Sequence, residues 1–143
     1  MSNEPVLTSR DIGITENALR ALLLKNLTGT GLGYHTWVAL QAVAKVKAPL
    51  AHPDLVHLLK DGLKIDDAAV NAAVDELRTA GMVTLDGDRL SATADGADLF
   101  ERVNTQTRQL SQQIYAGLPA EDLVVAHRVL ATLAARANAA LAG

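Results

Sequence analysis

Four basic side chains and one carboxamide in the middle of the chain have the chemistry that nucleic-acid binding requires. Lysine and arginine contact phosphates, and an asparagine can pair with both N6 and N7 of an adenine in the major groove. Each of these residue types is also, very often, an ordinary solvated surface residue. We predict a candidate interface made of the phosphate-binding Lys60, Lys64, Arg78 and Arg89 and the base-reading Asn71.

The charge of the same segment opposes this interpretation. Between residues 54 and 95, nine acids accompany the four bases, and the whole chain has a formal net charge of -3. Non-specific affinity for DNA comes from cations that displace counterions from the phosphates. This balance argues against indiscriminate binding, but it allows a specific binder with a local basic patch. Because Asp66 and Asp67 lie beside the expected phosphates, we expect DNA to bind more tightly when both are replaced by Ser.

Histidines and aromatic residues suggest two further kinds of site. His52 and His57 are five residues apart, which places them on different faces of a helix, whereas paired metal ligands prefer a spacing of four. We therefore predict no metal site. Tyr34, His35 and Trp37 can line a pocket for a small ligand, and the alternative, which the sequence favours, is a partly buried structural cluster.

Catalysis has little support in the sequence. The chain contains no cysteine, which excludes disulfides, thiolate catalysis and the usual structural zinc sites. It also lacks a nucleophile elbow, and its cluster of glycines at positions 29, 31 and 33 follows a helix rather than the strand that a dinucleotide site requires. We predict no catalytic residue, no cofactor and no enzymatic activity.

The elements that must position the candidate interface are helices and one hairpin. Small apolar residues recur at helical spacing, and the hydrophobic content is 49%. Thr15 is a potential N-cap of the first helix, Pro53 suits the first turn of the third, and Asp66 or Asp67 can cap the fourth. The predicted helices are 15–27, 34–45, 53–62 with Leu55, Leu58 and Leu59 inward, and 66–81 with Val70, Val74 and Leu77 inward.

A hairpin and two long helices complete the pattern. Asp86-Gly87 lies between two short strand-like segments, 82–85 and 89–92, which is a strong hairpin signal. Thr93 can cap the helix that follows, and a last helix begins at Pro119. The apolar stripes of the terminal helices need a partner surface, which a second copy of the chain would supply. The long helix has the stripe Leu99, Val103, Leu110 and Ile114, and the last has Leu123, Leu130, Ala134, Ala137 and Leu141.

Four segments of the chain, in the right order and with the right gaps, resemble the MarR family of bacterial transcription regulators. Gly31–Leu40 is similar to that family's entry into its second helix, and Val70–Val83 is similar to its recognition helix and first wing strand. Ala92–Gly96 is similar to the Leu-Thr-x-x-Gly that leaves its wing, and Gly117–Leu123 is similar to the start of its last helix. The resemblance extends from about residue 15 to residue 141.

This resemblance implies a mainly α fold, a winged helix-turn-helix with N- and C-terminal dimerisation helices and a short β-hairpin wing. It implies one domain, 1–143, with a DNA-binding core at about 34–96 and dimerisation helices at about 12–30 and 97–143. The implied function is a homodimeric DNA-binding regulator, a repressor that responds to a small-molecule effector. Its partner would be double-stranded DNA with a pseudo-palindromic operator.

Two alternatives remain open at the level of sequence. The acidic recognition segment and the short Asp86-Gly87-Asp88 turn favour a MarR-like dimer with weak or lost DNA binding, which acts as a small-molecule or protein-binding module. A purely structural helical dimer is the other. No apolar run reaches the roughly 18 residues that span a bilayer, and the N-terminus lacks the form of a signal peptide, so we expect a cytoplasmic protein with no membrane partner.

Overall fold

The computed structural model describes residues 3–46 and 48–143. Within these residues, helices predominate and three short strands form one antiparallel sheet with the order β1-β3-β2. This confirms the predicted mainly α fold with a β-hairpin. The elements in chain order are α1 Ser9–Asn26, α2 Tyr34–Lys45, β1 Leu50–Ala51, α3 His52–Leu63, α4 Asp67–Thr79, β2 Val83–Asp86, β3 Arg89–Ala92, α5 Ala94–Tyr115 and α6 Ala120–Ala142.

The chain divides into two compact units, residues 1–107 and 108–143. The first unit contains the helix-turn-helix of α3 and α4, the hairpin of β2 and β3, and the buried core that joins them to α2 and α5. The predicted single domain 1–143, of which residues 1, 2 and 47 lie outside the described residues, stays a prediction. The largest fully buried side chains are Leu40, Leu55, Leu59, Leu77, Leu90, Val70 and Val103.

Helix α1 begins six residues earlier than the sequence predicted. The N-cap is Thr8, whose side chain accepts a hydrogen bond from the Asp11 amide, while the Asp11 carboxylate accepts one from the Thr8 amide at 2.8 Å. This reciprocal pair is a capping box, which satisfies two amides that have no partner inside the helix. The prediction that Thr15 caps the helix was therefore wrong, because Thr15 lies inside it and donates to the Asp11 carbonyl.

The α2 prediction, residues 34–45, is confirmed, but two details before and within α3 differ from the prediction. The strand β1 was not predicted, and it pairs with β3 through Leu50 with Leu90 and Ala51 with Arg89. Leu58 was predicted to face inward and is 54% exposed. Its neighbour Leu59 is buried together with Leu55, which lies four residues earlier on the same face of α3.

Helix α4 begins and ends where its sequence signals predict. Asp66 is the N-cap and accepts a hydrogen bond from the Ala69 amide at 2.9 Å. At the other end, the Gly81 amide donates to the Arg78 carbonyl and the Met82 amide donates to the Leu77 carbonyl. This pair of bonds is a Schellman motif, which ends a helix at a residue with positive φ, and Gly81 has φ +75°.

The hairpin that follows α4 is tight. Asp86 pairs with Arg89, so the turn consists of Gly87 and Asp88. A glycine with positive φ at the first turn position is the pattern of a type II′ turn, whose twist matches that of the strands. The predicted hairpin is confirmed, and its turn lies one residue later than the Asp86-Gly87 pair.

The chain leaves the hairpin through a close crossing that requires a glycine. The Thr93 amide donates to the Met82 carbonyl at 3.0 Å, and the Thr93 hydroxyl donates to the Gly81 carbonyl at 2.6 Å. That hydroxyl also accepts a hydrogen bond from the Gly96 amide, as an N-cap does. A Cβ at position 96 would lie 2.0 Å from the Met82 carbonyl oxygen, so no other residue fits without movement of the backbone.

The second unit contains the end of α5 and the whole of α6. Helix α6 has no buried residue, although its sequence is rich in alanine, leucine and valine. Of the predicted α5 stripe, Leu99 and Val103 are buried, whereas Ile114 is 42% exposed. Exposed large apolar side chains on α6 are Val124, Val125, Val129, Leu130, Leu133 and Leu141.

Candidate nucleic-acid interface

The candidate interface is distributed over α3, α4, the turn between them and the hairpin. Lys60 lies on α3, and Lys64 is the C-cap that follows α3. Asn71 and Arg78 lie on α4 and are both exposed. They are seven residues apart, which places them on the same face of the helix and roughly 10 Å apart along its axis. Arg89 is the first residue of β3.

Each of the four predicted phosphate-binding cations lies beside an aspartate. Lys60 Nζ is 2.6 Å from an Asp67 carboxylate oxygen, a contact that joins α3 to the first turn of α4. The other three pairs are local in sequence and longer. They are Lys64 with Asp61 at 3.5 Å, Arg78 with Asp75 at 4.0 Å and Arg89 with Asp88 at 3.6 Å.

These ion pairs are weak because both partners are exposed. Each cation keeps about half of its side chain in solvent, and the aspartates keep more. An exposed pair of this kind contributes between zero and about 1 kcal/mol, because water screens the charges and two flexible side chains lose freedom. A phosphate can therefore displace the aspartate from each cation, but the displaced carboxylate stays nearby and repels the phosphate.

Lys64 has an unusual backbone conformation. Its φ of 57° and ψ of 42° place it in the left-handed region, and it is the one non-glycine residue of the described chain with positive φ. This conformation usually belongs to glycine or asparagine, because a Cβ makes it costly. A lysine in this place keeps a cation in the turn between α3 and α4.

Asn71 is held by a residue that the sequence analysis did not assign to the interface. His52 Nε2 lies 3.0 Å from Asn71 Oδ1, and the His52 amide donates to the Asp88 carbonyl at 2.7 Å. His52 is half-buried at the start of α3 and 19 residues before Asn71. No local spacing predicts this contact, because it depends on the angle between α3 and α4.

A surface cavity of about 560 Å³ lies between the second half of α4 and the strand β2. Arg78 and its partner Asp75 lie on the helix side of this cavity. Asn71 and Arg89 do not line it, so the cavity is separate from the part of the candidate interface near the hairpin turn. Its lining residues are Asp75, Arg78, Thr79, Val83, Thr84 and Leu85.

The predicted ligand-pocket residues occupy different environments. Trp37 is buried and stacks on Phe100, with 5.8 Å between the ring centroids. Tyr34 and His35 lie outside the core, with ring centroids 6.2 Å apart. The structure therefore brings Tyr34 and His35 together and places Trp37 in the core.

The ring of Tyr34 makes a cation–π contact with Arg20. Arg20 lies 4.9 Å from the centre of the Tyr34 ring, which is a cation–π distance. Arg20 also donates two hydrogen bonds to the Glu16 carboxylate, one of them 2.9 Å long from Nε. These bonds raise the pKa of Arg20 above its ordinary value, so this residue carries its charge at any pH the protein meets.

The described part of the chain has neither a cluster of metal ligands nor a helix suited to a membrane. Residues 3–46 and 48–143 contain no group of three or more histidine, cysteine or carboxylate side chains placed to hold a metal ion. Among the same residues, no helix combines the length and the hydrophobicity that crossing a membrane requires.

The sequence also matches a known family. The model of a helix-turn-helix family matches residues 21–142, which is most of the chain and includes the whole candidate interface. The chain belongs to this helix-turn-helix family. The family match agrees with the α3–α4 pair and the hairpin described above. A comparison with curated proteins finds no match.

Solved structures have the same fold at low sequence identity. Ligand-free NadR is 22% identical, with a TM-score of 0.72 over 92% of this chain and 99% of that one. MarR from E. coli in its reduced form is 20% identical, with a TM-score of 0.69 over 92% and 96%. CouR from Rhodococcus jostii RHA1, solved with bound p-coumaroyl-CoA, is 18% identical, with a TM-score of 0.70 over 86% and 88%. This member of the helix-turn-helix family thus has a MarR-like winged helix-turn-helix fold.

Proposed function

We propose that this protein is a transcription regulator that binds duplex DNA with α4 in the major groove and the β2–β3 hairpin beside the adjacent phosphates. The observation that carries the proposal is the link between these two elements. His52 bonds to Asn71 on α4 and to Asp88 in the hairpin turn, so a base-reading helix and a phosphate-contacting wing form one surface. Asn71 reads a base, and Lys60, Lys64, Arg78 and Arg89 contact phosphates.

The regulator acts as a homodimer. Six large apolar side chains of α6 are exposed in a single chain, and a two-fold partner would remove them from water at a gain of about 25 cal/mol per Å² of apolar surface. Contiguous exposed apolar side chains of this kind mark interaction surfaces. A dimer presents two copies of α4, which fit adjacent major grooves of a pseudo-palindromic operator.

The dimer is a cytoplasmic repressor, and its affinity for DNA changes when it binds a small-molecule effector. Support comes from CouR, which was solved with p-coumaroyl-CoA bound, and from the contacts between Tyr34, His35 and Arg20 at the start of α2. Tyr34 and His35 have the aromatic surface and hydrogen-bonding groups that a phenolic ligand needs, and Arg20 adds a cation. We propose no catalytic step and no cofactor for this protein.

A second function is favoured by the ion pairs. If the four aspartates outcompete phosphates for the four cations, the dimer binds a small molecule or another protein and does not bind DNA. The nine acids between residues 54 and 95 favour this alternative. The weakness of exposed ion pairs favours the regulator, because a phosphate can replace each aspartate.

The test is selection from a pool of random duplex DNA at low and at moderate salt, followed by sequencing of the recovered DNA. The regulator predicts enrichment of a pseudo-palindrome, and it predicts weaker binding at higher salt because phosphate contacts release counterions. The matched control is Asn71→Ala, which keeps all charges and is expected to relax the preference at one position of each half-site. No enrichment at either salt concentration would support the alternative function.

A further inference from the structure

His52 connects three elements of the winged helix-turn-helix. It follows β1, whose Ala51 pairs with Arg89 on β3, and it is the first residue of α3. Its amide donates to the Asp88 carbonyl in the hairpin turn, and its ring contacts Asn71 on α4. The hairpin thus fixes the main chain of His52, and the His52 side chain in turn fixes a side chain of α4.

The contact determines how the Asn71 carboxamide is oriented. A carboxamide oxygen can only accept a hydrogen bond, so His52 Nε2 must carry the proton that it shares with Asn71 Oδ1. The oxygen end of Asn71 is therefore held towards α3. The opposite end of the same carboxamide is an NH₂ group with two donors and no acceptor.

This orientation fixes the order in which Asn71 presents its donor and its acceptor to a base. In the major groove adenine presents one acceptor, N7, and one donor, N6, whereas guanine presents two acceptors, N7 and O6. A free asparagine pairs with adenine because it offers both a donor and an acceptor. The Asn71 oxygen has two lone pairs, so it accepts from His52 and can still accept a second hydrogen bond. The held carboxamide therefore keeps the acceptor and the donor that pair with adenine.

We infer that His52 is a positioning residue for base recognition, and that it holds the Asn71 carboxamide in the one orientation that pairs with an adenine at one position of each operator half-site. This inference rests on the proposed function, because it concerns which base the same surface selects. It predicts that the loss of His52 changes base preference at one position and leaves the others unchanged.

The experiment compares selected DNA sequences for the full-length protein and three variants. His52→Ala releases the Asn71 carboxamide, and we expect the preference for adenine at one position to fall by roughly tenfold, the size of one good bidentate contact. His57→Ala removes an exposed histidine of the same helix and is expected to change nothing. The double variant His52→Ala with Asn71→Ala is expected to match Asn71→Ala alone, because His52 acts through Asn71.

Each result has a distinct meaning. An enriched operator with the same base preference in His52→Ala overturns this inference and leaves the proposed function intact. No enrichment with the wild-type protein overturns the proposed function and this inference with it. NMR tests the contact between His52 and Asn71 without DNA. We expect His52→Ala, but not His57→Ala, to shift the ¹⁵N signal of the Asn71 side-chain amide. An unchanged signal overturns the inference.

Discussion

Lys64 combines a strained backbone with a predicted role in DNA binding. The left-handed conformation costs a residue with a Cβ on the order of 1–2 kcal/mol, and glycine avoids this cost but loses more entropy on folding. We expect Lys64→Gly to raise the free energy of unfolding by about 1 kcal/mol while it weakens DNA binding. Urea denaturation measures the first effect and a binding titration the second.

The matched control for this prediction is Lys60→Gly. It removes a cation of the same interface from the interior of α3, where glycine is expected to lower the free energy of unfolding by about 1 kcal/mol. Opposite signs for the two variants would attribute the effect to the backbone of Lys64. A loss of stability in both would contradict the argument.

Gly96 lies where the chain crosses behind the Met82 carbonyl. A Cβ there would overlap a backbone oxygen at 2.0 Å, and relief requires the end of the hairpin or the start of α5 to move. We expect Gly96→Ala to lower the free energy of unfolding by about 3 kcal/mol, at the upper end of overpacking costs. The measurement is thermal or urea denaturation.

Gly62→Ala is the control for Gly96→Ala. Gly62 lies in the last turn of α3, and a Cβ there would meet no atom within 4 Å. Alanine is the better helix former by about 1 kcal/mol, so this variant is expected to be more stable than the wild type. If both variants proved equally stable, the close crossing would not constrain position 96.

At the residue scale, sequence spacing explains part of the candidate interface. Asp75 and Arg78 are three residues apart on a helix, and such neighbours meet on one face. The contacts of Lys60 with Asp67 and of His52 with Asn71 cross from α3 to α4, and they depend on the angle that the core imposes on these helices. Sequence periodicity carries no information about that angle. The ion pair of Lys60 and the hydrogen bond of Asn71 were therefore not predicted.

At the scale of the elements, the hairpin gives a direct test of phosphate contact. Arg89 lies beside the hairpin turn, and its neighbour Asp88 leaves the arginine side chain more than half exposed. We expect Arg89→Ala to weaken binding equally for all duplex sequences and to reduce the slope of log affinity against log salt by about 1, as the loss of one phosphate contact does.

The control for this variant is Arg102→Ala, which removes the same charge from the exposed surface of α5. It is expected to leave the salt slope unchanged. A change of base preference in Arg89→Ala, or an equal change of slope in both variants, would contradict a phosphate contact by the wing.

Element boundaries were predictable where the signal is local. The cap at Asp66, the stop at Gly81 and the hairpin turn at Gly87 all depend on neighbouring residues, and all three were located to within one residue. The capping box of Thr8 and Asp11 is equally local and was missed in favour of Thr15. The strand β1 is different, because a two-residue strand exists only through its pairing with Leu90 and Arg89, roughly 40 residues away.

At the scale of the whole molecule, the proposed dimer predicts a dependence of stability on concentration. When folding and association are coupled, the unfolding midpoint rises with protein concentration. We expect this for the wild type, and we expect Leu133→Glu, which places a charge on the exposed apolar surface of α6, to sediment as a monomer with a lower midpoint. Analytical ultracentrifugation and thermal denaturation at several concentrations measure both.

Glu121→Gln is the control, since it changes a charge in the first turn of α6 without touching an apolar side chain. It is expected to sediment as the wild type does. A wild-type protein that stays monomeric at high concentration would contradict the dimer and, with it, a two-fold operator.

The proposed interface binds duplex DNA even though an aspartate lies beside each of its four cations. The most direct measurement is the affinity of the wild type and of a quadruple variant for the same duplex DNA at low salt. In that variant, Asp61, Asp67, Asp75 and Asp88 are all replaced by Asn. We predict measurable binding by the wild type and binding at least tenfold tighter by the variant, because each released cation becomes free for a phosphate. If neither protein bound DNA, this surface would not be a DNA interface.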